Sequence, residues 1–161
     1  MQLDQAIAEI RRRVEHPRVT NLIYLHLPVS YTPVDPARRI AHALDADPIS
    51  VMGLLVERFG DRWERLVQAE REGRLGAVGK ALAGVLVKRA QETSPAVVCD
   101  TEVLYAFPDL NPSALLYPLS GEGVIVVSVK AARVAGGLRL LEDGPVYPTD
   151  NCTVLELDWE R

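Results

Sequence analysis

Apolar residues recur at two different periods along this chain. Leu3, Ile7, Ile10 and Val14 fall three or four residues apart and predict a helix over 3–15, ended by Pro17. Residues 21–27, NLIYLHL, form a short apolar run rich in strand formers, as expected for a strand buried on both faces. From Asp35 the period turns helical again. Asp35 is placed as the N-cap and Pro36 at the first helical position, with Ile40, Ala41 and Leu44 on the apolar face. DADP breaks that helix, and a short strand is expected over 49–52. Two helical stretches follow. The first, 54–69, is amphipathic and interrupted near Gly60; the second, 75–91, is rich in Ala, Leu and Val, which implies deeper burial.

The next apolar run, AVVC at 96–99, predicts a strand that ends on an acid. NPSALLYPLS reads as a short helix with Asn111 as N-cap and Pro112 at the first helical position. GVIVVSV, 123–129, is the clearest buried strand. AGG at 135–137 marks a turn, LRLLE and TVLEL predict two further strands, and EDGPVYPTDN is the loop between them. Strands alternating with helices over the first 130 residues argue for parallel βαβ units in a three-layer α/β sandwich. The close-spaced strands at the end predict an antiparallel pair on one edge. No repeat or linker interrupts the pattern, so residues 1–161 are read as one domain.

Composition narrows the function classes. A hydrophobic content of 48% with 25% charged residues is that of a globular protein, and a net charge of -4 gives no global field to hold a polyanion. Basic residues cluster at Arg11, Arg12 and Arg13 with Arg18, and again at Arg38 and Arg39. Solvated helix faces or partner contacts account for these more simply than a nucleic-acid footprint, which leaves weak nucleic-acid binding as a third class of function. The two cysteines, Cys99 and Cys152, have no CxxC spacing and read as small buried hydrophobes of a reducing compartment. The N-terminus lacks a signal-peptide apolar core, and no apolar run approaches the length of a membrane span, so a cytoplasmic protein is expected.

Candidate chemistry centres on LIYLHLPVSYTPVDPARRIAHAL, residues 22–44. An apolar strand, a short turn and a helix follow one another as in a phosphate-binding loop. Such a loop uses glycines to converge backbone N–H groups on phosphate, a Lys for the outer phosphates and a Ser or Thr for magnesium. Here Pro28, Pro33 and Pro36 offer no N–H, and neither glycine nor lysine is present. Pro33 and Val34 stand about where the Lys and Thr would be. Ser30, Arg38 and Arg39 are the groups left to face an anion. In AVVCDTE, Asp100 and Glu102 follow the strand at the edge where ligands of open α/β sheets gather, and a capping role for the acid is the simpler expectation. His16, His26 and His42 are scattered with no ligand spacing, and Ser30, Ser113, Ser120 and Ser128 lack a GxSxG context. No catalytic constellation, metal site or cofactor is expected.

Taken whole, the order of segments resembles the small accessory proteins of bacteriophage exclusion (BREX) defence systems, BrxF most closely and BrxB more loosely. The likeness rests on RIAHALDADPISVMGLLVERF, on VVCDTEVLYAFPDLNPSALLYPLS, on VIVVSV and on GGLRLLEDGPVYPTD, in that order over residues 20–150. BrxF-like chains carry a phosphate loop, and that is the part missing here. The resemblance implies a P-loop-NTPase-like fold without nucleotide turnover and without cofactor. It implies a non-catalytic assembly or regulatory subunit, partnered by an ATPase, a DNA methyltransferase or a phosphatase-like protein. A small NTPase with a non-standard loop is the alternative. The partner surface is expected around Tyr105, Phe107, Leu110 and Tyr117, whose aromatic and apolar side chains surround a Pro-rich turn, with core closure over the sheet edge as the other reading of the same residues.

Overall fold

The computed structural model describes residues 1–31, 33–107, 109–140 and 142–158, the side chains of Asp61 and Trp63 excepted. Helices α1 (Leu3–Glu15), α2 (Ala37–Ala43), α3 (Val51–Phe59), α4 (Trp63–Arg71), α5 (Leu75–Glu92) and α6 (Pro112–Leu116) alternate with strands β1 (Leu22–Leu27), β2 (Ile49–Ser50), β3 (Ala96–Cys99) and β4 (Ile125–Lys130). The chain closes with β5 (Ala132–Val134), β6 (Gly137–Arg139), β7 (Val146–Pro148) and β8 (Thr153–Glu156).

β1 lies inside a five-stranded sheet of order β2-β3-β4-β1-β8, parallel throughout. Leu22 to Leu27 pair in register with Ile125 to Lys130, and Ile23 to His26 pair with Thr153 to Glu156. Every residue of β1 is buried, and the strand's alternation divides it between two cores. Ile23, Leu25 and Leu27 pack with Ala6 and Ile10 of α1 and Ile40 of α2 on one face. Leu22 and Tyr24 pack with Leu54 of α3, Leu82 and Leu86 of α5 and Leu116 of α6 on the other. Helices on both faces of a parallel sheet make the three-layer α/β sandwich that the spacing predicts. Each fully buried Leu, Ile or Val contributes about 1.5–3 kcal/mol, which makes these two layers the source of the fold's stability.

Local signals act where they were expected. Asn111 caps α6 by accepting the amide of Ser113 at 2.9 Å, with Pro112 in the first turn. The helical stretch after β2 breaks into α3 and α4 at a 3₁₀ turn over Gly60–Arg62. The strand expected over 49–52 is shorter, because the Ser50 hydroxyl accepts the Gly53 amide and starts α3 at once.

The C-terminal region differs in arrangement. Antiparallel pairing is present as a separate small sheet, β5-β6-β7, rather than on the edge of the main one. Leu138 and Tyr147 of this sheet join the core on the α5 face. The strand expected from TVLEL is β8, which lies parallel to β1 as the edge strand. The run LRLLE contributes only its beginning to β6, and its Leu141 lies outside the described residues. Among the described residues, no helix is long and apolar enough to cross a membrane.

Candidate functional site

From its C-terminal end β1 departs toward the face carrying α2, while its neighbour β4 leads into the small sheet on the opposite face. A crevice beyond the carboxyl ends of two strands whose connections diverge in this way is where open α/β sheets hold ligands. Here the chain's own side chains meet in it.

Asp35 stands at the end of the loop 28–36. Its Oδ1 accepts the amide of Ala37 at 2.9 Å, the first residue of α2, and also the hydroxyl of Ser128 on β4 at 2.8 Å. A carboxylate therefore sits on the first turn of α2, where a phosphate-binding loop would place a phosphate. The N-cap position falls on Pro36, one residue later than the sequence suggests, and Asp35 caps the first turn from just ahead of it. The phenol of Tyr31 has its pKa raised, first by burial and then by the charge of Asp35.

Asp100 follows β3 on the far side of β4. Its Oδ2 accepts from the Arg38 guanidinium at 3.0 Å and from the Ser50 hydroxyl, and the Cys99 thiol stands 3.8 Å away. Ser50 in turn caps α3, so a single carboxylate oxygen ties α2, α3 and β3 together at this edge. Asp100 occupies the left-handed region at φ 54°, ψ 42°, which Asp tolerates better than most residues yet at some cost. Next to it, Thr101 is buried and donates to the Ser128 carbonyl at 2.6 Å. The Cys99 thiol is pushed up to about 12 by burial, reinforced by the neighbouring Asp100 charge, and is not an available nucleophile.

Of the residues singled out for a vestigial nucleotide site, the structure brings Arg38 and Asp100 into direct contact. Ser30, Arg39 and Glu102 are exposed on the same edge and, among the described residues, stand outside this network. Asp35, Ser50 and Ser128 complete it, and only Asp35 was singled out by sequence, as a cap. Ser50 and Ser128 are missing from that reading because their partners lie 50 and 93 residues away.

The partner-binding candidates divide. Phe107 and Leu110 are 6% and 5% exposed and belong to the core between the sheet and α5. Tyr105 and Tyr117 are half-buried, and Tyr105 donates to the Lys130 carbonyl at 3.1 Å. The exposed large apolar side chains fall in two groups, with Val14 and Val19 near the N-terminal edge of the sheet and the other four near the crevice. Val29 and Val34, 60% and 85% exposed, lie on the loop after β1, and Met52 and Val56, 44% and 54% exposed, lie one turn apart on α3. That loop and the start of α3 both border the crevice edge.

His26, on β1, is buried with its Nε2 2.8 Å from the Ala131 carbonyl, a satisfied strand histidine on one ring nitrogen. Among the described residues, no group of His, Cys, Asp and Glu side chains is gathered as a metal site, and both cysteines are free thiols. No protein-family model matches the chain, and no curated protein or solved structure matches it.

Proposed function

We propose that this chain is a non-catalytic assembly or regulatory subunit, built on the scaffold of a phosphate-loop protein whose site its own side chains have filled. The observation that carries the reading is the Asp35 carboxylate on the first turn of α2, hydrogen-bonded to Ala37 and Ser128. A phosphate brought to the same point would meet a like charge and three prolines without N–H groups. Asp100 is similarly engaged by Arg38 and Ser50 rather than left open toward a metal.

The phage-exclusion context comes from the order of segments set out above, and with it the partner class: an ATPase, a DNA methyltransferase or a phosphatase-like protein. Val29, Val34, Met52 and Val56, four of the six exposed large apolar side chains, support docking at the crevice edge, since such side chains close together favour a protein contact. The rival reading is a small NTPase that uses Asp100 for magnesium.

Co-expression of a tagged chain with each such component of a phage-exclusion operon tests the proposal. A complex that survives gel filtration, and that Val34→Asp with Met52→Asp abolishes without lowering the melting temperature, is the expected result. Elution of the folded chain alone in the presence of every component would contradict it.

A further inference from the structure

The opposite edge of the sheet carries a second cluster of chemistry that the crevice does not use. α1 ends at Glu15 and β1 begins at Leu22, so residues 16–21 run along the N-terminal edge of the parallel strands. Arg12, Arg13, His16 and Arg18 line a hollow there of about 230 Å³. Arg13 and Arg18 also line an adjoining hollow of about 350 Å³, whose far wall is the start of β8 with Asn151 and Thr153. Two arginines are therefore shared between two adjacent hollows, each large enough for a phosphoryl group.

The cluster is held in place. Asn21 is 1% exposed, and its side-chain amide grips the Arg18 backbone from both sides, accepting the Arg18 N–H at 2.7 Å and donating to the Arg18 carbonyl at 2.9 Å. Arg13 donates from its guanidinium to the Thr153 hydroxyl at 3.0 Å, which fixes its direction and leaves further N–H donors for another acceptor. Arg12 is neutralised by Glu9 at 2.7 Å. Among the described residues, no carboxylate makes a salt bridge with Arg13 or Arg18. Burial, then the nearby Arg18 charge, lower the Arg13 pKa, and the Glu9 charge opposes them only in part.

Arg12 and Arg13 are also the last-turn cations that suit a helix C-terminus. That accounts for those two and not for Arg18, which lies beyond the helix and adds repulsion. In a chain of net charge -4, two adjacent arginines without a salt bridge among the described residues are a local feature and not part of a general positive surface.

We infer that Arg13 and Arg18 form a phosphate-binding site at the N-terminal edge of the sheet, with His16 on its rim. Guanidinium groups match phosphate oxygens in paired N–H contacts, and a bound phosphoryl dianion would relieve the repulsion between the two arginines. The phosphoryl group comes either from a free phosphorylated small molecule or from a nucleic-acid backbone. The acidic whole-molecule charge favours the free molecule.

Titration calorimetry of the full chain with inorganic pyrophosphate, and separately with a single-stranded oligonucleotide of roughly 20 nucleotides, tests the site. Pyrophosphate is expected to bind, and Arg18→Gln to weaken it by about tenfold or more, the loss of charge-assisted hydrogen bonds. Arg65→Gln, an exposed arginine of α4, should leave the affinity unchanged. Arg18 is exposed, so its variant should keep the wild-type melting temperature even if Arg13→Gln does not. Oligonucleotide binding that falls steeply between about 50 and 200 mM salt and needs Arg18 would assign the phosphate to a nucleic-acid backbone. Absence of binding for both probes, or binding that Arg18→Gln leaves intact, would overturn the inference.

Discussion

Cys99, Tyr24 and Tyr147 share one electrostatic consequence of burial. Burial pushes the Cys99 thiol and the Tyr147 phenol each up to about 12, and raises Tyr24 as well against an opposing hydrogen bond with Ser113. Folded-state values above the ordinary 9.0 and 10.0 mean that the folded chain holds these protons more tightly than the unfolded one. Their contribution is whole below the ordinary values and is lost as pH rises through the folded ones. The urea midpoint should therefore hold steady near neutral pH and decline above about pH 9. A midpoint flat to about pH 11 would show that these groups are not buried as described. At the same scale, Asp35→Ala should cost about 0.5–2 kcal/mol as the loss of a helix cap. Glu102→Ala, at an exposed position, should stay within about 0.5 kcal/mol of wild type. Both are read from urea unfolding. The cap was legible in the sequence because Asp35 and Ala37 are neighbours; the Ser128 hydroxyl that meets the same oxygen was not, since only the folded sheet brings it there.

Among the elements, periodicity gave away those that bury a whole face. α1 spans the expected 3–15, and β1, β3 and β4 stand where the apolar runs predict strands. The small sheet was harder to see. β7 lies inside the Pro-rich stretch EDGPVYPTDN, whose turn residues outweigh the three-residue strand, and β5 follows β4 with only Ala131 between them. That sheet depends on a close approach: a Cβ at Gly137 would fall on the Tyr147 carbonyl. Gly137→Ala should therefore separate β6 from β7 and lower the melting temperature, and an unchanged melting curve would contradict the pairing. Phe107 makes a parallel case on α5, where its ring stands 3.2 Å from the position a Gly79 Cβ would take. The aromatic residues after β3 looked like a recognition loop in sequence because a Pro-rich turn carries them, yet Phe107 and Leu110 close the core over α5. Phe107→Ser should cost roughly 3–5 kcal/mol, a drop on the order of 10 °C in a domain of this size. A variant that melted with the wild type would return Phe107 to the surface.

Across the whole molecule, the two ends of the parallel sheet carry different chemistry. The C-terminal edge, where this kind of fold ordinarily receives a ligand, carries two hydrogen-bonded groups, Asp35 with Ser128 and Asp100 with Arg38 and Ser50. The N-terminal edge holds Arg13 and Arg18, which make no salt bridge among the described residues. Sequence made the first half of this legible, since the prolines and the absent glycine and lysine stand in one contiguous loop. Of the second it showed Arg13 and Arg18 as part of a basic cluster but not their meeting with Thr153, which only the pairing of β1 with β8 brings about. The filled crevice is tested by calorimetric titration of the wild-type chain with ATP and magnesium, at low enough salt for charge contacts to register. Any heat of binding is expected to be one that Arg18→Gln removes and Asp100→Ala does not. Micromolar binding that disappears with Asp100→Ala would contradict the account and place a working nucleotide site at the C-terminal edge.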